Sequence, residues 1–130
     1  MHSQQNSMLA FRTISRLFRL AVLLMPGWAA AQSDPWRDTL VAAQQLDLAR
    51  QYHNEHRFAA EIAAATEATG IYTRLYGHEH PKTALARLYI ARGLREINRE
   101  QEALDLYYQS LPVFETARDT FRQAICHHQI

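Results

Sequence analysis

The chain has 130 residues, room for one domain, with 48% hydrophobic and 21% charged residues, a globular balance that excludes a disordered polar chain. Twenty Ala against three Val, with only four Gly and four Pro, favour helices over an all-β sandwich. A formal net charge of +1 supplies no basic excess for nucleic acid, and a single cysteine excludes an intramolecular disulfide framework.

The first predicted element is a leader. Arg12, Arg16 and Arg19 precede the apolar run Leu20-Ala21-Val22-Leu23-Leu24-Met25, and no acidic residue occurs before Asp34. Pro26-Gly27 then breaks the helix, and Ala29-Ala30-Ala31 offers small residues in an A-x-A arrangement. Positive flank, short apolar centre and small-residue site form a secretory signal peptide over 1–31, with cleavage between Ala31 and Gln32. The uncharged stretch 20–31 is shorter than the roughly 17–25 residues of a spanning helix, so no stable membrane span is expected after cleavage. Residues 32–130 would keep eleven Lys+Arg against thirteen Asp+Glu, a net charge of −2. The expected location is periplasmic or secreted, where Cys126 is buried, free, or paired between chains.

After a linker over 32–38, helical spacing of apolar residues predicts a first helix over 38–53, closed by the polar stretch Asn54-Glu55-His56-Arg57. A second is expected over 58–76, with Phe58, Ile62, Ala65, Ala68, Tyr72 and Leu75 along one stripe. Gly77-His78-Glu79-His80 is a loop, and Pro81 suits the first turn of a third helix, where its missing N–H leaves nothing unbonded. That helix runs to 97, with Asn98 as a left-handed stop. A fourth begins near Arg99, with Glu100 and Glu102 favourably placed at its positive end, and Pro112 should kink or end it. From about 118 a short fifth helix is expected, covering the stack with Ala117, Phe121, Ala124 and Ile125.

Sliding the chain against itself by 42 residues sets Ala42 on Ala84, Leu46 on Leu88, Leu48-Ala49-Arg50 on Ile90-Ala91-Arg92, Ile62 on Leu104, Ala68 on Ser110, and Ile71-Tyr72 on Val113-Phe114. With Tyr76-Gly77-His78-Glu79-His80-Pro81-Lys82-Thr83-Ala84, then Ile90-Ala91 and Leu94, then Glu102-Ala103-Leu104, Tyr107 and Ser110-Leu111, the pattern resembles the tetratricopeptide repeat, in its long 42-residue variety known from kinesin light chains and bacterial relatives. The resemblance implies an all-α superhelix of helix hairpins over 39–117, with units at 39–80 and 81–117 and a capping helix and tail over 118–130.

Departures are specific. The small residue expected at the close helix contact is Ala103 in the second unit but Glu61 in the first. A position usually filled by Trp or Leu holds Gln45 and Arg87, and positions often carrying paired Asn read Leu46-Asp47 and Leu88-Tyr89. Any known ligand mode is therefore not carried over.

In this register the ligand-facing positions are Leu46, Asp47, Arg50, His53 and Asn54 in the first unit and Leu88, Tyr89, Arg92, Arg95 and Glu96 in the second. Tyr and Arg are the types most enriched at binding hot spots, though arginines are also ordinary on a solvated helix face. The resemblance implies a protein or peptide partner and no reaction, and no catalytic residue, cofactor site or metal set is assigned. A rival expectation is the repeat region of a larger enzyme, for example one with a caspase-like peptidase domain, since two units are fewer than the three or so that usually bury a continuous core. A weaker one is metal binding by His53 and His56, by His78 and His80, or by Cys126-His127-His128, where too few ligands converge in sequence. A dimer through the C-terminal end is a further expectation, the tail being otherwise free to fray.

Overall fold

The computed structural model describes residues 34–130, so the leader, with Ala31 and Gln32, lies outside the described residues. Five α-helices follow one another: α1 Pro35–Asn54, α2 Phe58–Tyr76, α3 Pro81–Glu96, α4 Glu100–Thr116 and α5 Thr120–Gln129. Each packs on the next, α1 also touches α3, and no strand occurs among the described residues. The architecture is an all-α array of helix hairpins.

The 42-residue period is written into the backbone. His56 and Asn98, 42 apart, both take left-handed φ, at 57° and 61°. Behind them Arg57 N donates to Tyr52 O at 2.8 Å and Arg99 N to Leu94 O at 2.9 Å, so the two helix ends close in the same way. A third left-handed residue, Arg118 with φ 54°, closes α4, where Asp119 N donates to Phe114 O. At the other junction Pro81 opens α3 as expected, with His80 as its cap: Lys82 N donates to His80 Nδ1 at 3.2 Å, and the imidazole stacks on Tyr76. His80 is thus occupied by capping.

Burial follows the repeat as well. Ala42 and Ala84, Ala49 and Ala91, Ala68 and Ser110, Tyr72 and Phe114 are equivalent pairs, and every member is buried. Alanine dominates the core of the first hairpin, where Ala42, Ala49, Ala64, Ala65 and Ala68 let α1 and α2 approach closely. Larger side chains gather between α3, α4 and α5, around Leu88, Leu94, Tyr107, Val113, Phe114 and Cys126. No helix among the described residues is long and apolar enough to cross a membrane.

Four expectations are corrected or narrowed. α1 starts at Pro35, three residues before the expected start at 38, so it takes in part of the expected linker. Of the two outcomes expected at Pro112, a kink or an end, the end is excluded, since α4 continues to Thr116. The missing N–H of Pro112 frees a carbonyl on the outer face, beside exposed Tyr108, where water can bond it. Phe121, expected to cover the stack, is 74% exposed. The fifth helix docks through a different face than the apolar spacing suggests. Of the four residues expected as cover, Ala117, Phe121 and Ala124 point outward and only Ile125 is half-buried, while Arg122, Gln123 and Cys126 turn in with it. The cause is the end of α4, whose Phe114 carbonyl accepts from Gln123 Nε2 at 3.0 Å while Arg122 lies over the Phe114 ring. Cys126 is accordingly fully buried, no part of a frayed tail.

Candidate functional site

The first helix of each hairpin and α5 present side chains to one groove of about 430 Å³. Its wall on α3 is Leu85, Leu88, Tyr89, Arg92, Arg95 and Glu96, residues spaced three and four apart and therefore on one helix face. His53 at the end of α1 forms one side, and Phe121, Arg122, Ile125 and Gln129 of α5 form the other. Tyr107 closes it from α4. The structure thus brings together six of the positions singled out from the repeat register: His53, Leu88, Tyr89, Arg92, Arg95 and Glu96.

The other four are elsewhere. Leu46 is half-buried and packs against Ala42, Ala68, Tyr72 and Ala86. Asp47, Arg50 and Asn54 line a separate shallow depression along α1, where Asp47 accepts from Arg50 at 2.9 Å. Leu88 itself is mostly core, at 7% exposure, and offers the groove only an edge.

Beneath the groove lies a charge cluster. Glu61, fully buried on α2, accepts from Arg92 Nε at 2.7 Å and from His53 Nδ1 at 2.9 Å. One carboxylate therefore ties together α1, α2 and α3. A buried carboxylate is tolerated only when paired and hydrogen-bonded, and both of its oxygens are. Gly93 makes the space: a Cβ there would lie 3.4 Å from Glu61 Cδ and 2.7 Å from Ile62 Cγ1. The Arg92 guanidinium also stacks on Tyr89 at 4.8 Å, and its Nη2 is buried with no partner among the described residues.

The three groove arginines are not equivalent. Arg92 is balanced by Glu61 and Arg122 by Asp119. Arg95 donates to the neutral amide of Gln129, and among the described residues no ion pair compensates its charge in the groove. Burial pushes the Tyr107 phenol above its ordinary pKa, with the neighbouring Arg95 pulling the other way. The groove is therefore aromatic and cationic along α3, with Glu96 at its edge. No nucleophile stands beside a base within it, and among the described residues no three His, Cys, Asp or Glu side chains are placed to hold a metal ion.

The contribution of α5 is what periodicity missed, because the sequence pattern puts Arg122 and Gln129 on its outer side. Glu61 was visible in the sequence only as an acid at a position where the repeat has a small residue. Comparison of the chain with family models, with curated proteins and with solved structures gives no match.

Proposed function

We propose that this chain is an exported interaction module of the tetratricopeptide type, which holds a segment of a partner protein in the groove between α1, α3 and α5 and catalyses no reaction. The observation that carries this reading is the convergence of His53, Tyr89, Arg92 and Arg95 from two separate helices on one open groove. Tyr and Arg in a partly desolvated concavity are the residues from which binding hot spots are built. Arginine suits carboxylates in particular, since its planar fork gives two parallel hydrogen bonds. The recurrence of left-handed closures 42 residues apart supports the repeat assignment, and the leader pattern in the sequence supports export.

The test is site-directed photocrosslinking in cells that make the full chain. A crosslinker replacing Tyr89, inside the groove, should capture a discrete partner, and Arg95→Ala should abolish the adduct. A crosslinker replacing Tyr108, 57% exposed on α4 and outside the groove, should not capture it. Equal capture from both positions, or none from Tyr89, overturns the proposal.

A further inference from the structure

A second concavity, of about 670 Å³, lies between the α2–α3 loop, α3 and the end of α4. Its walls include Pro112, Val113 and Ala117, and its polar lining includes His78, Gln109 and Arg87. Arg87 is the unusual member. It keeps only 8% of its surface exposed, yet its one hydrogen bond is from Nη2 to the carbonyl of His78, at 2.6 Å. Among the described residues no carboxylate pairs with it. Burial alone pulls its pKa below the ordinary arginine value, with no acid opposing.

A guanidinium carries five N–H donors, and the protein uses one of Arg87's; its remaining nitrogens are not sealed from solvent and stay free to meet a ligand. Packing does not fix a charge here, because the one carbonyl that Arg87 bonds belongs to exposed His78, where water can take the place of the guanidinium. The equivalent position 42 residues earlier holds the neutral Gln45.

We propose that this concavity is a binding site for an organic carboxylate, whose charge pairs with Arg87 and whose apolar body lies against Pro112, Val113 and Ala117. The lining selects this chemistry. A single guanidinium matches one carboxylate through two parallel hydrogen bonds. Glu79, also in the lining, disfavours a multiply charged anion such as phosphate, and the apolar wall rewards a hydrocarbon body. The site is separate from the groove between α1, α3 and α5, and stands or falls without it.

The test is NMR titration of the full chain with hexanoate, hexanol and inorganic phosphate. Hexanoate should shift the Gln109 side-chain amide and the Val113 methyls saturably, with hexanol and phosphate at least about tenfold weaker, which is about 1.4 kcal/mol. Arg87→Leu should abolish saturation while the melting temperature holds or rises. Glu79→Ala changes an exposed loop residue and leaves the packing alone, and it should tighten hexanoate binding about two- to threefold through lost repulsion. N-acetyl-leucine distinguishes the source: if it binds more tightly than hexanoate the natural ligand is a chain terminus, and if more weakly a free acid; either supports the carboxylate site. Absence of saturation by hexanoate, phosphate binding as tight as hexanoate, or saturation that both variants leave unchanged overturns it.

Discussion

Glu61 and Arg92 meet at 2.7 Å across the α2–α3 contact, and His53 reaches the same carboxylate from α1. The pair is lopsided: the Glu61 side chain is fully buried, whereas those of Arg92 and His53 keep about a third of their exposure or less, at 34% and 27%. Removing the carboxylate leaves two donors that water can partly recover. Glu61→Ala should therefore destabilise by about 1–3 kcal/mol, below the 3–5 kcal/mol typical of a fully buried broken pair. Urea unfolding monitored by circular dichroism measures it. A neutral or stabilising result would mean that the triad does not hold the hairpins together.

The same junction makes Gly93 sensitive. Alanine is ordinarily preferred to glycine inside a helix by about 1 kcal/mol. Here the added Cβ would meet Ile62 Cγ1 at 2.7 Å, and that atom is close to its own backbone and cannot swing away freely. Overpacking of this kind costs about 1–3 kcal/mol, enough to cancel or reverse the propensity gain. Gly93→Ala should give no stabilisation, and Gly93→Val a clear loss. Gly70 is the control: nothing lies within 4 Å of its Cβ position, so Gly70→Ala should stabilise. Thermal melts of the three variants decide the order.

Much of the helix plan was legible because the chain punctuates it. Pro81 and Asn98 are residues whose backbone restrictions act locally, and both fall where the structure uses them. His56 was harder to read, since a helix end of this kind is usually marked by Gly or, as at its 42-residue partner Asn98, by Asn. The groove residues on α3 could be read because helical periodicity fixes which side chains share a face. Glu61 and α5 could not. A burial pattern read from hydrophobicity places every Glu outside and turns Phe121 inward, whereas hydrogen bonding decides both. Glu61 goes in to meet Arg92 and His53, and α5 rotates to bring Gln123 onto the Phe114 carbonyl.

That rotation has a consequence for Phe121. At 74% exposure it contributes little to packing, so Phe121→Asp should change stability by no more than about 0.5 kcal/mol. A loss above about 1 kcal/mol would mean that Phe121 is buried in the folded protein in solution. Sedimentation of the same variant checks the expected dimer: a fall from dimer to monomer places Phe121 between two copies.

Cys126 should be the reverse case. Its thiol is fully buried, and burial pushes its pKa above the ordinary cysteine value, so thiolate is scarce. Iodoacetamide at mildly alkaline pH should leave it unmodified in the folded protein and alkylate it fully in denaturant. Rapid labelling without denaturant would show that α5 opens readily.

Asp119 gives that opening a pH dependence. It caps α5, accepting from the backbone N of Arg122 at 3.0 Å and also from the Arg122 guanidinium, and these bonds hold its carboxyl below the ordinary value of 3.8. A carboxyl whose pKa is lowered on folding binds fewer protons in the folded state. Its contribution is therefore complete above the unfolded-state value and disappears as pH falls through the lowered folded-state one. Docking of α5 should hold at neutral pH and weaken in the acid range below about 4. Labelling of Cys126 with a pyridyl disulfide, which reacts with thiols even in acid, follows the opening across that range. Asp119→Asn keeps a side-chain cap but cannot titrate. It should remove the acid-dependent part of the labelling rate, and an unchanged pH profile in this variant would assign the acid response to other carboxylates.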